Sequence, residues 1–247
     1  MSNTNMFSQA FVGSGKKVDS GLRNYMLSVY NLMCAGLCVT ALSSFACMNI
    51  PLFQSIFFVL SPNGSIIHST GIGMLAFFAP FFIGMTLSIG IMNLNIATAH
   101  SLFFAYAALT GVSLTPMLSM YTAASVAKTF LIAASAFGGM SIYGNTTRAN
   151  LNSWGPFLFA GLFAVIIASI MNMFIGSSAS DLALSAIMVV LFLGFTAYDT
   201  HRIKEIYFYT GGGEMGQRFA VMGAFSLYLD FINLFVHLLR FMGNRRD

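Results

Sequence analysis

Seven long apolar runs, separated by short polar breaks, recur along the 247-residue chain. Crossing a bilayer as a helix takes about 20 mostly apolar residues. Lipid admits only helices or closed barrels, and no segment here alternates with the two-residue period of a barrel strand. The pattern therefore predicts spans at about 25–48, 71–92, 96–115, 121–143, 155–175, 181–207 and 218–242. Pro116 is expected to end the third span, and Ser180 or Asp181 to cap the sixth. Gly211-Gly212-Gly213 supplies a tight turn between the last two, whereas the first connection, with Pro51, Pro62-Asn63-Gly64 and His68, reads as a loop. Residues 1–24 are expected to form a flexible cytoplasmic tail, and residues 25–247 a single seven-helix transmembrane domain.

Composition supports this reading. Hydrophobic residues make up 57% of the chain and charged residues only 7%, against about 25% charged in an ordinary soluble domain. So little charge cannot cover a water-facing surface; the expected partner of the outer surface is the lipid bilayer. The net charge of +4 does not point to nucleic acid, because the basic residues lie mostly between the apolar runs. With the N-terminus inside, the inner segments hold Lys16, Lys17, Arg23, Arg148, Arg202, Lys204 and Arg218, while the outer loops hold no Lys or Arg. That asymmetry is the positive-inside pattern. Arg240, Arg245 and Arg246 resist it, since seven crossings leave them outside. Either a basic tail is tolerated there or the last segment does not cross fully. The polar N-terminus does not read as a cleavable signal peptide. Cys34, Cys38 and Cys47 share one apolar segment and need no role beyond packing.

Charge at membrane depth is the chemical anomaly. A carboxylate at the centre of a membrane helix costs about 2.5–3.5 kcal/mol. Asp199 lies in the sixth span and Asp230 in the middle of the seventh. Counted from the glycine turn, their depths differ by roughly 9 Å at about 1.5 Å per residue, so a facing pair is compatible with the spacing without being required by it. Two carboxylates about 4 Å apart repel by about 4 kcal/mol at an effective dielectric near 20. A facing pair would therefore share one proton, holding two helices together while the proton stays. It would push them apart, or attract a cation, once the proton leaves. The plainer reading is two unrelated aspartates, each hydrogen-bonded to backbone or tyrosine.

Other polar side chains fall near this pair. His237 is seven residues after Asp230, on nearly the same helix face, and is a candidate proton relay as well as an ordinary packing residue. Arg202, three residues after Asp199, can pair with it or snorkel to headgroups. Lys128 in the fourth span is a candidate counter-ion, also within snorkelling reach. Gly139-Met140-Ser141 faintly suggests a serine nucleophile, but no pattern brings a histidine base to Ser141, so no enzyme is expected. No tight metal site and no cofactor is expected. Two carboxyls would hold Ca²⁺ only weakly, because that ion takes 6–8 oxygens.

Several stretches are similar to a known family. Residues 223–246, GAFSLYLDFINLFVHLLRFMGNRR, and residues 194–204, GFTAYDTHRIK, resemble the C-terminal signature of the Bax inhibitor-1 family, the transmembrane Bax inhibitor motif proteins. Residues 121–130 and 137–147 are similar to its bacterial branch, and with residues 100–116 the resemblance covers nearly the whole chain after the N-terminal tail. The resemblance implies an all-α membrane protein of seven transmembrane helices, six surrounding a central C-terminal helix. It also implies a pH-sensitive calcium leak governed by an aspartate pair, matched here by Asp199 and Asp230, with calcium as the transported ion. In some members an Arg in the second span latches one aspartate; the second span here carries no basic residue. The alternative function is a non-transporting membrane protein that modulates a membrane protease or stress response through protein partners. The compact loops favour a bacterial inner membrane with the N-terminus cytoplasmic.

Overall fold

The computed structural model describes residues 3–61, 66–211 and 213–246, with side chains from Ser20 onward. Eight helices dominate these residues: α1 (Asn3–Asn49), α2 (Pro51–Phe57), α3 (Gly71–Gly90), α4 (Ile96–Ser119), α5 (Ala123–Thr146), α6 (Trp154–Ile175), α7 (Ser178–Thr210) and α8 (Gly213–Met242). All but the short α2 contain a stretch long and apolar enough to cross a membrane; in α1 that stretch is Ser20–Asn49. The protein is an all-α integral membrane protein.

The helix ends follow the local chemistry. Thr70, Asn95, Thr122 and Ser177 cap α3, α4, α5 and α7, each side-chain oxygen accepting from a backbone N–H three residues on. The cap of α7 is thus Ser177 rather than Ser180 or Asp181, and the helix begins a turn earlier than the apolar pattern suggests. Asp181 instead accepts a hydrogen bond from Asn172 of α6 at 2.5 Å. Pro116 lies inside α4, which continues to Ser119; near a helix end a proline removes one hydrogen bond without stopping the chain. No proline interrupts α1, and its backbone is helical from Asn3, through residues whose polarity reads as a flexible tail. The first connection holds α2 and a two-stranded antiparallel hairpin, β1 (Phe58–Leu60) with β2 (Ile66–Ser69). His68 pairs with Val59 in that hairpin.

One helix is unlike the rest. Buried residues make up 61% of the apolar window of α8, against 17–39% for the other six spans, so α8 is the core around which the others stand. It packs against α1, α4, α5 and α7; Phe225 extends the contact to α3 beside Gly84. The remaining span, α6, packs along α7 and not on α8, and presents Phe157, Met173 and Phe174 outward. Aromatic rings fill the space around α8. Tyr106 and Phe225 meet edge to face at 4.9 Å, and Phe130 and Phe137 of α5 close on Phe231 at 5.4 and 5.6 Å.

The residues after α8 settle where its end lies. Thr122 N–H donates to Asn244 O at 3.1 Å, Arg246 N–H to Met120 O at 2.9 Å, and Asn244 N–H to Ser125 Oγ at 2.8 Å. The C-terminal residues therefore lie at the same end of the bundle as the α4–α5 turn. That is the end opposite Arg148, Arg202, Lys204 and Arg218, so α8 passes through the whole bundle.

Candidate ion and proton site

The site is the seam between α7 and α8, which run antiparallel from a tight turn. Gly211 and Gly213 carry φ of 63° and 70°, left-handed values that side chains resist, which explains glycines there. Close approach follows at Gly223, where a Cβ would lie 2.9 Å from Ile203. Small residues let helix backbones come together where hydrophobicity alone gives no drive for helices to associate.

Antiparallel register then decides whether the carboxyls meet. Phe192 of α7 stacks on His237 of α8, with centroids 6.2 Å apart and planes 15° from parallel. Seven residues further along α7 is Asp199, and seven residues back along α8 is Asp230. The same step on both helices brings the two aspartates level. The register shifts along the seam, from Gly216 beside Thr210 near the turn to His237 beside Phe192, and this offsets the difference of roughly 9 Å read from the turn. In that register the two carboxyls face one another across the seam. Asp230 is 4% exposed. Its Oδ2 is buried without a hydrogen-bond partner among the described residues. Such an atom is costly unless a proton, a cation or water completes it.

The other expected residues divide. His237 lies in the seam on the Asp230 face, half-buried, its Nδ1 also without a hydrogen-bond partner among the described residues. Arg202 is exposed, yet its charge reaches Asp199. Lys128 is exposed on α5, next to the buried Thr129 that faces inward; this is the snorkelling placement, not that of a counter-ion to the pair. His201 contacts Glu205 at 3.3 Å, and Glu205 also accepts from Asn152 at 2.9 Å, at the end of the bundle that carries the basic loops.

Two hydroxyl clusters flank the seam. Ser141 of α5 bonds to Tyr30 of α1 and, at 3.2 Å, to Thr200 of α7. Thr40 of α1 lies 2.7 Å from the Tyr228 hydroxyl and 2.9 Å from Ala107 O of α4. These links tie α1 to α5–α7 on one side and to α4–α8 on the other. Their signal in the sequence is weak, because a serine or threonine inside a span usually bonds its own helix, as Thr196 does to Phe192 O. Gly144 explains how α5 comes so close: any side chain there would run into the Ala197 backbone.

The fold and site together define a polytopic membrane protein whose last helix is enclosed by the others and carries a buried acid opposite a second one. Residues 22–247 match the family described as "Inhibitor of apoptosis-promoting Bax1". The chain is 43% identical over 233 residues to an uncharacterized protein of Rickettsia prowazekii (strain Madrid E), covering 94% of both chains. It is 38% identical over 229 residues to the inner membrane protein YbhL of Escherichia coli (strain K12), covering 92% of this chain and 94% of the relative. An uncharacterized protein of Caulobacter vibrioides is also 38% identical, over 231 residues. The chain belongs to the Bax inhibitor-1 family.

Proposed function

We propose that the protein is a pH-sensitive leak for calcium or a similar cation, gated by Asp199 and Asp230. The observation that supports this most is the level pairing of two carboxyls inside a membrane bundle, with Asp230 Oδ2 buried and unpartnered. While the pair holds one proton, an O–H···O⁻ bond ties α7 to α8 and closes the seam. When that proton leaves, two carboxylates repel across the seam and attract a cation. The second span carries no Arg to latch either acid. The only cation acting on the pair among the described residues is Arg202, three residues from Asp199 on its own helix and exposed. Arg202 shares its helix with Asp199 and so is not a latch supplied from a second span; losing the proton is the opening step. The leak rises as pH rises.

Two aspartates bring at most about four oxygens, fewer than the 6–8 of a strong calcium site, so the ion passes instead of being stored. The lack of Lys and Arg in the outer connections supports a cytoplasmic N-terminus. The name of the Escherichia coli relative supports a bacterial inner membrane.

Calcium flux into dye-loaded proteoliposomes between pH 5 and 8 tests the proposal. Wild type should leak more at pH 8 than at pH 5, and Asp199→Asn and Asp230→Asn should each abolish that dependence. Absence of flux in the wild type at every pH would discard the leak in favour of a non-transporting protein that acts on membrane partners. A leak that falls with rising pH would discard the direction of gating.

A further inference from the structure

The α7–α8 seam differs on its two sides of the aspartate pair. Toward the basic loops α8 presents apolar side chains to the seam, and the buried hydroxyl of Thr200 on α7 is taken up by Ser141 of α5. Ile203, Val221, Ala224 and Leu227 are 3% exposed or less, and no room for a side chain remains between Gly223 and Ile203. Toward the C-terminal end, α8 instead carries polar groups at helical spacing: Asp230, Asn233, His237 and Arg240. Steps of three, four and three residues keep them on one face, each rising about 4.5–6 Å. Asn233 and His237 are half-buried and Arg240 is exposed, so the stripe runs from a buried acid to the surface. Asn233 Nδ2 donates to Leu229 O at 2.8 Å, which leaves its amide oxygen as an acceptor. His237 is held flat against Phe192, and its buried Nδ1 is unpartnered among the described residues.

We infer that Asn233 and His237 form the path by which the pair exchanges its proton, and that the path opens to the C-terminal face, making the protein a sensor of pH on that side. The inference rests on the leak proposed above. An imidazole suits the task because one ring nitrogen can take a proton while the other releases one. Single waters bridge steps of this length.

Among the ionisable groups at that end, His68 of the hairpin, Asp181 at the start of α7, Arg245 and Arg246 are exposed, and Asp181 accepts from Asn172. Arg240 of the same helix acts on His237 and sits at the outer mouth of the stripe. From α7, residues 189–196 offer no titratable side chain, and α6 has none along its length. On α5, Lys128 is exposed. At that end of the bundle α1 contributes Cys47 and the α4–α5 turn contributes Tyr121, both buried. The competing route is Arg202, exposed beside Asp199 near the basic loops. Beside it His201, whose Nδ1 is also buried without a hydrogen-bond partner among the described residues, contacts Glu205, and stepping pH on one side at a time separates this route from the stripe of α8.

The test uses full-length protein in liposomes of a single orientation, verified by proteolysis of the 147–153 segment, with pH stepped on one side at a time. Wild-type leak should follow the compartment bathing the C-terminal face and ignore the other. In His237→Leu the response to that step should slow by roughly a hundredfold, the low end of what a positioned proton carrier contributes. The leak finally reached at each pH should stay as in the wild type. Asn233→Leu interrupts the same stripe with His237 intact and should slow the response likewise, which separates a broken path from a misfolded variant. Control from the basic face, or wild-type response rates in both variants, would overturn the path and leave the leak standing. No leak on either side at any pH would overturn both.

Discussion

Replacing Asp230 by Asn tests whether the two acids contend for one proton. The substitution keeps the shape of the side chain and removes its charge. When both carboxyls are ionised, two unit charges about 4 Å apart at an effective dielectric near 20 repel by about 4 kcal/mol, which sets the scale of the stability at stake. In the unfolded chain the acids are separated and ionise above about pH 4. On the proposed shared proton, the native pair holds one more proton than the unfolded chain from there upward. The linkage relation then makes stability fall as pH rises through the range in which the native proton is lost. For a protein of this size 1 kcal/mol moves Tm by about 2–4 °C, so the wild type should lose several degrees, on a scale of roughly 8–16 °C, between pH 5 and pH 8. Asp230→Asn should lose less than the wild type over that interval, because only the buried Asp199 is left to respond. A thiol-reactive dye at the buried Cys47, in a background with the exposed Cys34 and Cys38 replaced by serine, reports unfolding directly. Equal pH slopes in wild type and variant would refute the shared proton, and so would a wild type that gains stability with rising pH.

Three further outcomes follow from the packing. Gly223→Val places a Cβ 2.9 Å from Ile203 and should cost about 1–3 kcal/mol, read as a lower Tm at every pH. Thr40→Val removes the partner of the Tyr228 hydroxyl, and Tyr228→Phe removes the other half; each should cost about 0.5–2 kcal/mol. A double-mutant cycle on the two should show coupling, because the bond links α1 to α8. Deleting residues 244–247 frees the Thr122 amide, bonded to Asn244 O, and should speed its hydrogen exchange while the amides of α8 near Tyr228 keep their protection.

Much of the fold is legible in the chain because lipid imposes a strict rule on length and polarity. All seven spans follow from it, and their boundaries lie within a few residues of the apolar runs. The details that escape have local causes. The hairpin of β1 and β2 is too short and too apolar to separate from a loop, and Ser177 caps α7 ahead of two equally good candidates. The acids at Asp199 and Asp230 stand out by cost alone, but their level pairing depends on how α8 leaves its turn. That depends on Gly211 and Gly213, and no count of residues supplies it. The links Tyr30–Ser141 and Thr40–Tyr228 join residues more than a hundred positions apart; nothing in the chain marks such hydroxyls as partners.

The central position of α8 has a consequence for biogenesis. The helix that the others enclose is the one synthesised after them, so α1, α4, α5 and α7 enter the bilayer before the surface they share exists. Until α8 inserts, Phe103, Tyr106, Phe130 and Phe137 lack the rings of Phe225, Tyr228 and Phe231 that they pack against. Assembly must therefore end with a threading step. A nascent chain halted before Gly213 should remain a loose set of spans, open to membrane quality control.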